Sequence, residues 1–351
     1  MIEIDGSFLE GGGQILRTSL GLSSLTGKAF TIRDIRKGRC NPGLQAQHLS
    51  CVRAAQELCN ATVSGATLGS TSVAFEPAKL SVKDISVDIG TAGSITLLMQ
   101  SILSPSCFAA KDFTISVTGG TDVPWSQPVD YFRFVLLPYL RHFASFDLEL
   151  LRRGYYPKGQ GRIKLTIKPR FGSAGDFLEL LKNKAIPAFS ALDRGKLKSI
   201  KGISHASLSL KSSSVAERQA SSAQTSLKHF GKVDISASYD DTASPGSGIT
   251  LWAEFEDDGV WPVIIGADAL GKKGVSAESV GKLAASNLSK QIESGCLVDS
   301  FLADQLLPFL VFAPKASFLT SEITPHCRTN AYVIEKFLDV RFAFKDRLVT
   351  C

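Results

Sequence analysis

Between residues 1 and 170 the chain repeats one pattern: a short apolar run of strand length, a glycine-bearing turn, then an amphipathic stretch of helix length. Strands and helices of that kind each bury one face, so they must cover one another in layers, which confines the chain to a mixed α/β arrangement. Residues 2–5 read as a strand, Gly11-Gly12-Gly13 leads into a helix over 14–25, and 29–35 alternate as a strand. Asn41-Pro42-Gly43 predicts a second helix opening at Pro42 and running to Cys59, because Asn caps well and Pro at the first helical position loses no needed N–H. Strands are expected over 72–75 and 80–89. The order then recurs, with Gly93-Ser94 capping a helix to 103, a strand over 112–117, a helix over 129–143 and a hairpin of 146–152 with 162–167. Towards the C-terminal end, helices over 299–312 and 330–337 flank a strand over 317–322. These read as three loosely repeated units, each of paired helices on a sheet.

A block from 185 to about 295 has a different texture, richer in Ser and Lys and punctuated by the turn cluster Asp-Asp-Thr-Ala-Ser-Pro-Gly-Ser-Gly. It reads strand (200–210), helix (215–230), strands (233–239, 249–255, 263–265) and helix (277–294), which predicts a small α/β domain inserted into its host. The expected division is 1–184 and 297–351 for the host and 185–296 for the insert. A length of 351 residues agrees with two domains.

Seven cysteines, odd in number and with no Cys-x-x-Cys pair, argue for free thiols in a reducing compartment and against a zinc cage or a disulfide framework. The acidic start, Met1-Ile2-Glu3-Ile4-Asp5-Gly6, has no signal-peptide pattern, and the longest apolar run, 306–314, is too short to span a membrane. A soluble intracellular protein is expected. The net charge of +6 permits a polyanionic partner without a dedicated basic arm.

Four segments could carry chemistry. In Glu10-Gly11-Gly12-Gly13-Gln14-Ile15-Leu16-Arg17, three glycines ahead of a helix let backbone N–H groups approach an anion. Gln14 and Arg17 share a face there, and Glu10 could hold a phosphate's metal counterion; a flexible surface turn is the plainer alternative. Arg36-Lys37-Gly38-Arg39 precedes the second helix, where Gln47 and His48 lie on the first turns. Arginines suit bidentate phosphate binding, while His48, in a stripe with Leu44 and Cys51, also fits a satisfied structural histidine. Thr118-Gly119-Gly120-Thr121-Asp122-Val123-Pro124, with Pro128, is mostly turn chemistry, though a nucleotide base could pack on its prolines. In Thr324-Pro325-His326-Cys327-Arg328-Thr329-Asn330, His326 is placed as an exposed nucleophile or base. His142, His205 and His229 look structural or solvated. Gly266-Ala267-Asp268-Ala269-Leu270-Gly271-Lys272-Lys273 fails as a phosphate-binding P-loop, since Lys273 stands where a hydroxyl should bind Mg²⁺. No Lys-x-Asp-Gly, G-x-S-x-G, H-E-x-x-H or kinase motif set occurs.

In order, Asp5-Gly6 with Glu10-Gly-Gly-Gly-Gln-Ile-Leu-Arg17, Ile35-Arg36-x-Gly-Arg39-x-x-Pro-Gly-Leu-x-x-Gln47-His48-Leu49, Gly69-Ser70, Gly93-Ser94 with Gln100, Gly119-Gly-Thr-Asp122, Leu302-Ala-Asp304-Gln305-Leu306 and His326-x-x-Thr329-Asn330 span nearly the whole chain. Together they make it closely resemble the RNA 3′-terminal phosphate cyclase family. The resemblance implies an α+β host of three units, each of two helices on a four-stranded sheet, as in enolpyruvate transferases, with a small thioredoxin-like insert. It implies an ATP-consuming, ligase-type enzyme of RNA processing, whose partners are ATP, Mg²⁺ or Mn²⁺, and RNA with a 3′-terminal phosphate. His326 would take up adenylate from ATP and pass it to the RNA phosphate, after which the 2′-hydroxyl closes a 2′,3′-cyclic phosphate. By the same resemblance Arg17 and Arg39 are catalytic and Glu10 holds the metal. Gln14, Gln100, Pro124, Pro128, Phe301, Asp304 and Gln305 would serve the nucleotide, and Arg36, Gln47 and His48 the RNA end. Phe301 stands where many members have Tyr, and 296–300 lack the usual glycine, which implies a tuned affinity with activity kept.

The rival readings are a non-catalytic ribosome-biogenesis relative, an RNA-end-binding protein and an enolpyruvate transferase. His326 with Thr329-Asn330 argues against the first, and the third's signatures are not evident. A cytoplasmic location is expected, or nuclear in a eukaryote. A homodimer is admissible on the sequence.

Overall fold

The computed structural model describes residues 1–81, 83–171, 174–183, 186–192 and 194–351, with backbone alone at 174–176, 178 and 191. Strands β1 (Ile2–Asp5) and β2 (Phe30–Arg33) are parallel because helix α1 (Gly13–Thr26) carries the chain back between them. After α2 (Ala46–Cys59), β3 (Thr62–Ser64) and β4 (Val73–Glu76) join antiparallel, giving the order β1-β2-β4-β3. The second sheet repeats this with β5 (Ile85–Asp88), crossover helix α3 (Ile95–Ser106), β6 (Phe113–Gly119), β7 (Ala144–Arg152) and β8 (Gly161–Pro169), in the order β5-β6-β8-β7. Between β6 and β7 lie α4 (Val129–Tyr131), a π-helical turn (Phe132–Leu136), α5 (Leu137–Tyr139) and a 3₁₀ turn (Leu140–His142).

Helix α6 (Ala174–Asn183) leads to β9 (Ser190–Ala191), after which the chain builds a separate sheet. Its elements are β10 (Leu197–Ser207), α7 (Val215–Leu227), β11 (Val233–Asp240), β12 (Ser247–Phe255), β13 (Ile264–Leu270) and α8 (Ala277–Glu293), in the strand order β11-β10-β12-β13. The chain returns through α9 (Ser300–Leu310) to β14 (Ser317–Leu319), α10 (Pro325–Phe337), β15 (Ala343–Lys345) and β16 (Leu348–Thr350), in the order β15-β16-β14-β9. Among the described residues, three of the four sheets thus share one order, with one parallel and two antiparallel pairings. The fourth has its own apolar cluster, from Ile200 to Cys296, apart from the main one.

Several expected elements shift, each for a local reason. The second helix begins at Ala46, not Pro42. Gly43 sits at φ 73°, where a Cβ would also lie 2.2 Å from the Gly69 carbonyl, and Arg36 Nη1 donates to the carbonyls of Asn41 and Gly43 at 2.6 and 2.9 Å. The loop is therefore held non-helical. The expected helix over 129–143 is broken into turns of different pitch around Pro138, which has no N–H to return to Phe134. The last helix begins earlier than expected, because Thr324 Oγ1 accepts from Cys327 N at 3.2 Å and Pro325 fills the first helical position. β3, β15 and β16, absent from the sequence reading, have three residues each, and α6, also absent from it, buries Phe177 against Phe108 and Phe312. β9 falls inside residues 185–296 by number yet pairs with β14, and the expected boundary at 184/185 lies outside the described residues. Gly266 to Leu270, the rejected P-loop, is strand β13.

The fourth sheet is tied to the rest by buried polar contacts. Tyr139 Oη accepts from Ile264 N at 3.0 Å, and Asp299 accepts from Tyr131 Oη at 2.6 Å and from Gly266 N at 2.9 Å. Arg153, on the turn after β7, lies 3.2 Å from Asp122, 2.7 Å from Asp130 and 3.3 Å from Asp240, while His205 of β10 lies 3.2 Å from Asp122 and accepts or donates at 2.7 Å with Tyr155 Oη. Burial alone would raise the Asp122 carboxyl, but His205 and Arg153 together hold it well below the usual carboxylate range. Its stabilisation is thus present above the unfolded carboxyl pKa of about 4 and is lost as pH falls through the depressed folded value. Arg153→Met should destabilise the protein by about 3–5 kcal/mol at neutral pH, since it strands buried carboxylates. Urea unfolding from pH 7 down to pH 3 checks this: the deficit should narrow once the carboxyls protonate.

Candidate functional site

Every residue of α1 from Gln14 to Leu25 is buried, because α2, α3 and α10 pack around it. A helix so enclosed has nowhere to send its polar side chains except into its neighbours. Thr18 Oγ1 donates to Asn330 Oδ1 at 2.5 Å, and Gln14 Nε2 donates to Asp304 Oδ2 at 2.8 Å and to the His326 carbonyl at 3.2 Å. The N-cap is Gly12, with no capping side chain, so the leading N–H groups of α1 face the space in front of it. Gly13 must be glycine: a Cβ there would lie 2.2 Å from His48 Nε2 and 3.1 Å from Arg17 Nη1.

Arg17 is only 8% exposed, and its Nε donates to Gln100 Oε1 at 3.1 Å. Among the described residues its two terminal nitrogens donate to no protein acceptor. Desolvation lowers its pKa, partly offset by Cys51 and Asp304. A buried guanidinium with its fork free is an incomplete interaction whose natural complement is an oxyanion.

His326, in the first turn of α10, is half-exposed, with Nδ1 3.2 Å from Glu10 Oε2; Arg39 Nη2 stands 3.8 Å from the same oxygen. Neither contact is aligned as a hydrogen bond, so Glu10 Oε2 is a buried acceptor without a donor, as is Gln14 Oε1. Burial lowers the His326 pKa; Glu10 opposes this, and Arg17 and Arg39 reinforce it. The imidazole is therefore neutral at neutral pH. A neutral imidazole keeps a lone pair on one ring nitrogen, and Nδ1 is the one that stands 3.2 Å from the Glu10 carboxylate.

His48 serves the helix and the site at once. Its Nδ1 accepts from Gln45 N at 3.1 Å, completing the start of α2, and this leaves Nε2–H beside Gly13. Burial, then Arg17 and Arg36, push its pKa down to about 3, so it is a neutral donor. Gln47 is one contact further out, its Oε1 accepting from Ser94 N at 3.3 Å, and Arg36 is occupied in bracing its own loop. Asp299 caps α9 through Phe301 N and Leu302 N, both at 3.0 Å, which presents Phe301, Asp304 and Gln305 along one side. Burial raises Asp304 to about 7, against the pull of Arg17. Gln305 Nε2 returns to the Phe301 carbonyl at 2.9 Å, and Phe301 is 45% exposed. A cavity of about 30 Å³ lies among Thr18, Gln100, Asp304, Gln305 and Asn330. Pro128 is buried at the start of α4 and Pro124 is exposed on the preceding loop, with no contact to the His326 group.

Glu10, Gln14, Arg39, Asp304 and His326 are thus linked by direct contacts, Arg17 and Gln100 by another, and His48 and Arg17 both close on Gly13, although they come from six separate segments. Thr18, which braces α1 to α10 through Asn330, had no expected role and looks like an ordinary polar helix residue until burial is known; Asn330 was marked as part of the His326 motif without a role of its own. A cleft of about 400 Å³ between Tyr139, Phe189, Trp261 and the 256–258 loop carries none of the expected residues. Asp122, Asp130 and His205 lie close enough for a metal ion, but Arg153 already supplies the positive charge there. Among the described residues, no helix is long and apolar enough to cross a membrane, and no disulfide joins any of the cysteines.

The sequence model of the family described as RNA 3′-terminal phosphate cyclase matches residues 8–344. Curated relatives named RNA 3′-terminal phosphate cyclase include proteins of Archaeoglobus fulgidus (45% identical, covering 96% of both chains), Pyrococcus furiosus (43%, covering 98% of this chain and 95% of the relative) and Methanosarcina mazei (40%, covering 99% and 97%). The chain belongs to the RNA 3′-terminal phosphate cyclase family and is an enzyme.

Replacing Arg17 by Met removes the uncompensated charge and keeps the bulk. The variant should unfold within about 1 kcal/mol of the parent. Tripolyphosphate at a hundredfold excess over its Kd should stabilise the parent by about 2.7 kcal/mol. The variant should gain little, which thermal melts with and without the anion will read.

Proposed function

We propose that this enzyme converts an RNA 3′-terminal phosphate to a 2′,3′-cyclic phosphate at the expense of ATP, through an adenylate carried on His326. The observation that carries the proposal is the neutral, half-exposed imidazole of His326, whose Nδ1 faces Glu10 and whose site contains the free fork of Arg17. A neutral imidazole is a competent nucleophile at pH 7, and the bond it forms to phosphorus remains reactive.

In the first step Nε2 attacks the α-phosphorus of ATP, an N–P bond forms, and pyrophosphate leaves with the electrons of the broken P–O bond. An oxygen of the RNA 3′-phosphate then attacks the same phosphorus, the N–P bond breaks, and AMP is joined to the RNA end through a pyrophosphate link. Last, the vicinal 2′-hydroxyl attacks the RNA phosphorus, losing its proton, and AMP departs. Arg17, the N–H groups leading α1 and the His48 Nε2–H are fixed donors for the charge that develops on phosphoryl oxygens, and Arg39 adds a mobile one. Glu10 Oε2 and Gln14 Oε1, buried acceptors without donors, fit a divalent cation, which would neutralise phosphate charge when bound. Phe301, Asp304, Gln305, Gln100, Pro124 and Pro128 are assigned to the nucleotide, and Arg36, Gln47 and His48 to the RNA end. Phe301 keeps a stacking face but has no hydroxyl.

The shared order of three sheets supports a host of three repeated units. The β-α-β-β-β-α run over 197–293, with its own core, supports a thioredoxin-like inserted domain. Free thiols support a cytoplasmic setting.

Incubation with α-labelled ATP and a divalent metal should leave acid-labile, alkali-stable label on the parent and none on His326→Ala; equal label on both would rule out the mechanism. Arg39→Ala should lower turnover by about 10²–10³-fold, measured as cyclised RNA under single-turnover conditions.

A further inference from the structure

Two aromatic rings on loops that lean on the start of α3 are left outside any core. Trp125 is 96% exposed and Tyr156 is 68% exposed, whereas Trp252 and Trp261 are buried. Trp125 is not on a slack loop: Ser126 Oγ donates to the Val123 carbonyl at 3.1 Å, Val129 N to the Thr121 carbonyl at 3.0 Å, and Thr96 Oγ1 to the Gln127 carbonyl at 2.8 Å. The residue itself is held at φ 63°, a conformation costly for an indole-bearing residue unless its surroundings impose it. Tyr156 projects from the turn between β7 and β8. That turn is pressed against the start of α3, since a Cβ on Gly159 would lie 2.7 Å from Ala92 Cα. Lys158 stands exposed on the same turn, with its backbone N–H donating to Ser244 Oγ at 3.1 Å.

Both rings are tied to the phosphate site through α3. Thr96 and Gln100 are one helical turn apart, with about 5–6 Å between their Cβ atoms. Thr96 secures the Trp125 loop, and Gln100 receives Arg17 Nε. On the other side, Gln47 binds Ser94 N, which joins α2 and the Arg36–Arg39 loop to the same spot. Two exposed rings on separate braced loops, with a lysine beside one of them, thus flank the start of the helix whose Gln100 receives Arg17. An adenine of ATP can use only one stacking surface of this kind, and Phe301 already offers one on α9. A polymer with several unpaired bases can use two.

We propose that Trp125 and Tyr156 are stacking platforms for the unpaired bases next to the 3′ end of an RNA strand, with Lys158 beside its backbone. This rests on the reading of the site as one for RNA 3′-phosphate ends. Every base presents a π face, so the grip tolerates sequence and favours single strands over duplex ends. The rings hold the strand and take no part in adenylate transfer.

The test is a titration with a ten-nucleotide unpaired RNA bearing a 3′-phosphate, without ATP. Because the other tryptophans are buried, saturable quenching of indole emission reports Trp125, and it should vanish in Trp125→Phe. By anisotropy of labelled RNA, the Trp125→Ala/Tyr156→Ala double variant should bind about tenfold or more weakly, and the double Phe variant close to the parent. Labelling of His326 from ATP alone should be unchanged in all of them. An RNA affinity within twofold of the parent in the double Ala variant overturns the proposal, as does a loss confined to the KM for ATP. If the parent takes no label from ATP yet the quenching and the affinity loss stand, the cyclase reading fails and the RNA surface survives.

Discussion

A buried helix whose polar residues have no water to turn to is the constraint from which the site follows. α1 is enclosed on all sides, so Gln14, Arg17 and Thr18 must find partners on α3, α9 and α10 or remain unsatisfied. Thr18 succeeds, and Gln14 succeeds at Nε2 while its Oε1 stays without a donor; between them they hold Asn330, Asp304 and the His326 backbone. Arg17 succeeds only at Nε. The fold thus keeps a mostly buried guanidinium whose fork has no protein acceptor, and the cost of that omission is carried by the packing around α1.

Much of this was legible before any coordinates. Glycines 11–13, the run of strand and helix lengths and the separate texture of 185–295 carry local information, because Gly, Pro and Asn punctuate the backbone wherever they occur. His326 was conspicuous as one of few histidines, set between Pro325 and Arg328. What could not be read depends on distance in space. Nothing near His48 in sequence reveals that its Nε2 lies against Gly13, and nothing near Arg153 reveals three acidic partners. The second helix misled for an instructive reason: Asn-Pro-Gly is a good helix opening in isolation, but Gly43 is held at positive φ by Gly69 and by the Arg36 brace. There a tertiary contact overrode a sound local preference.

Asp299 shows how the fourth sheet and the site are mechanically joined. The same carboxylate caps α9 and accepts a backbone N–H from β13 and a hydroxyl from Tyr131. α9 carries Phe301, Asp304 and Gln305, so any tilt of the fourth sheet against its host is passed to three residues of the site through a single side chain. The Arg153 cluster limits that tilt from the other edge, with contributions from both sides of the junction.

The two-residue strand β9 has a consequence for how the molecule is made. Its partner β14 lies more than 120 residues downstream, and His326 comes later still. At a synthesis rate of about 5–20 residues per second, β9 waits about 6–25 s on the ribosome before its partner exists. Throughout that interval the first two sheets can close and the fourth can collapse on its own core, while the third stays open. Assembly of the candidate site around His326 is therefore among the last events of biogenesis. A nascent chain can hold its glycine loop and its arginines in place, yet His326, the nucleophile proposed above, has still to be made.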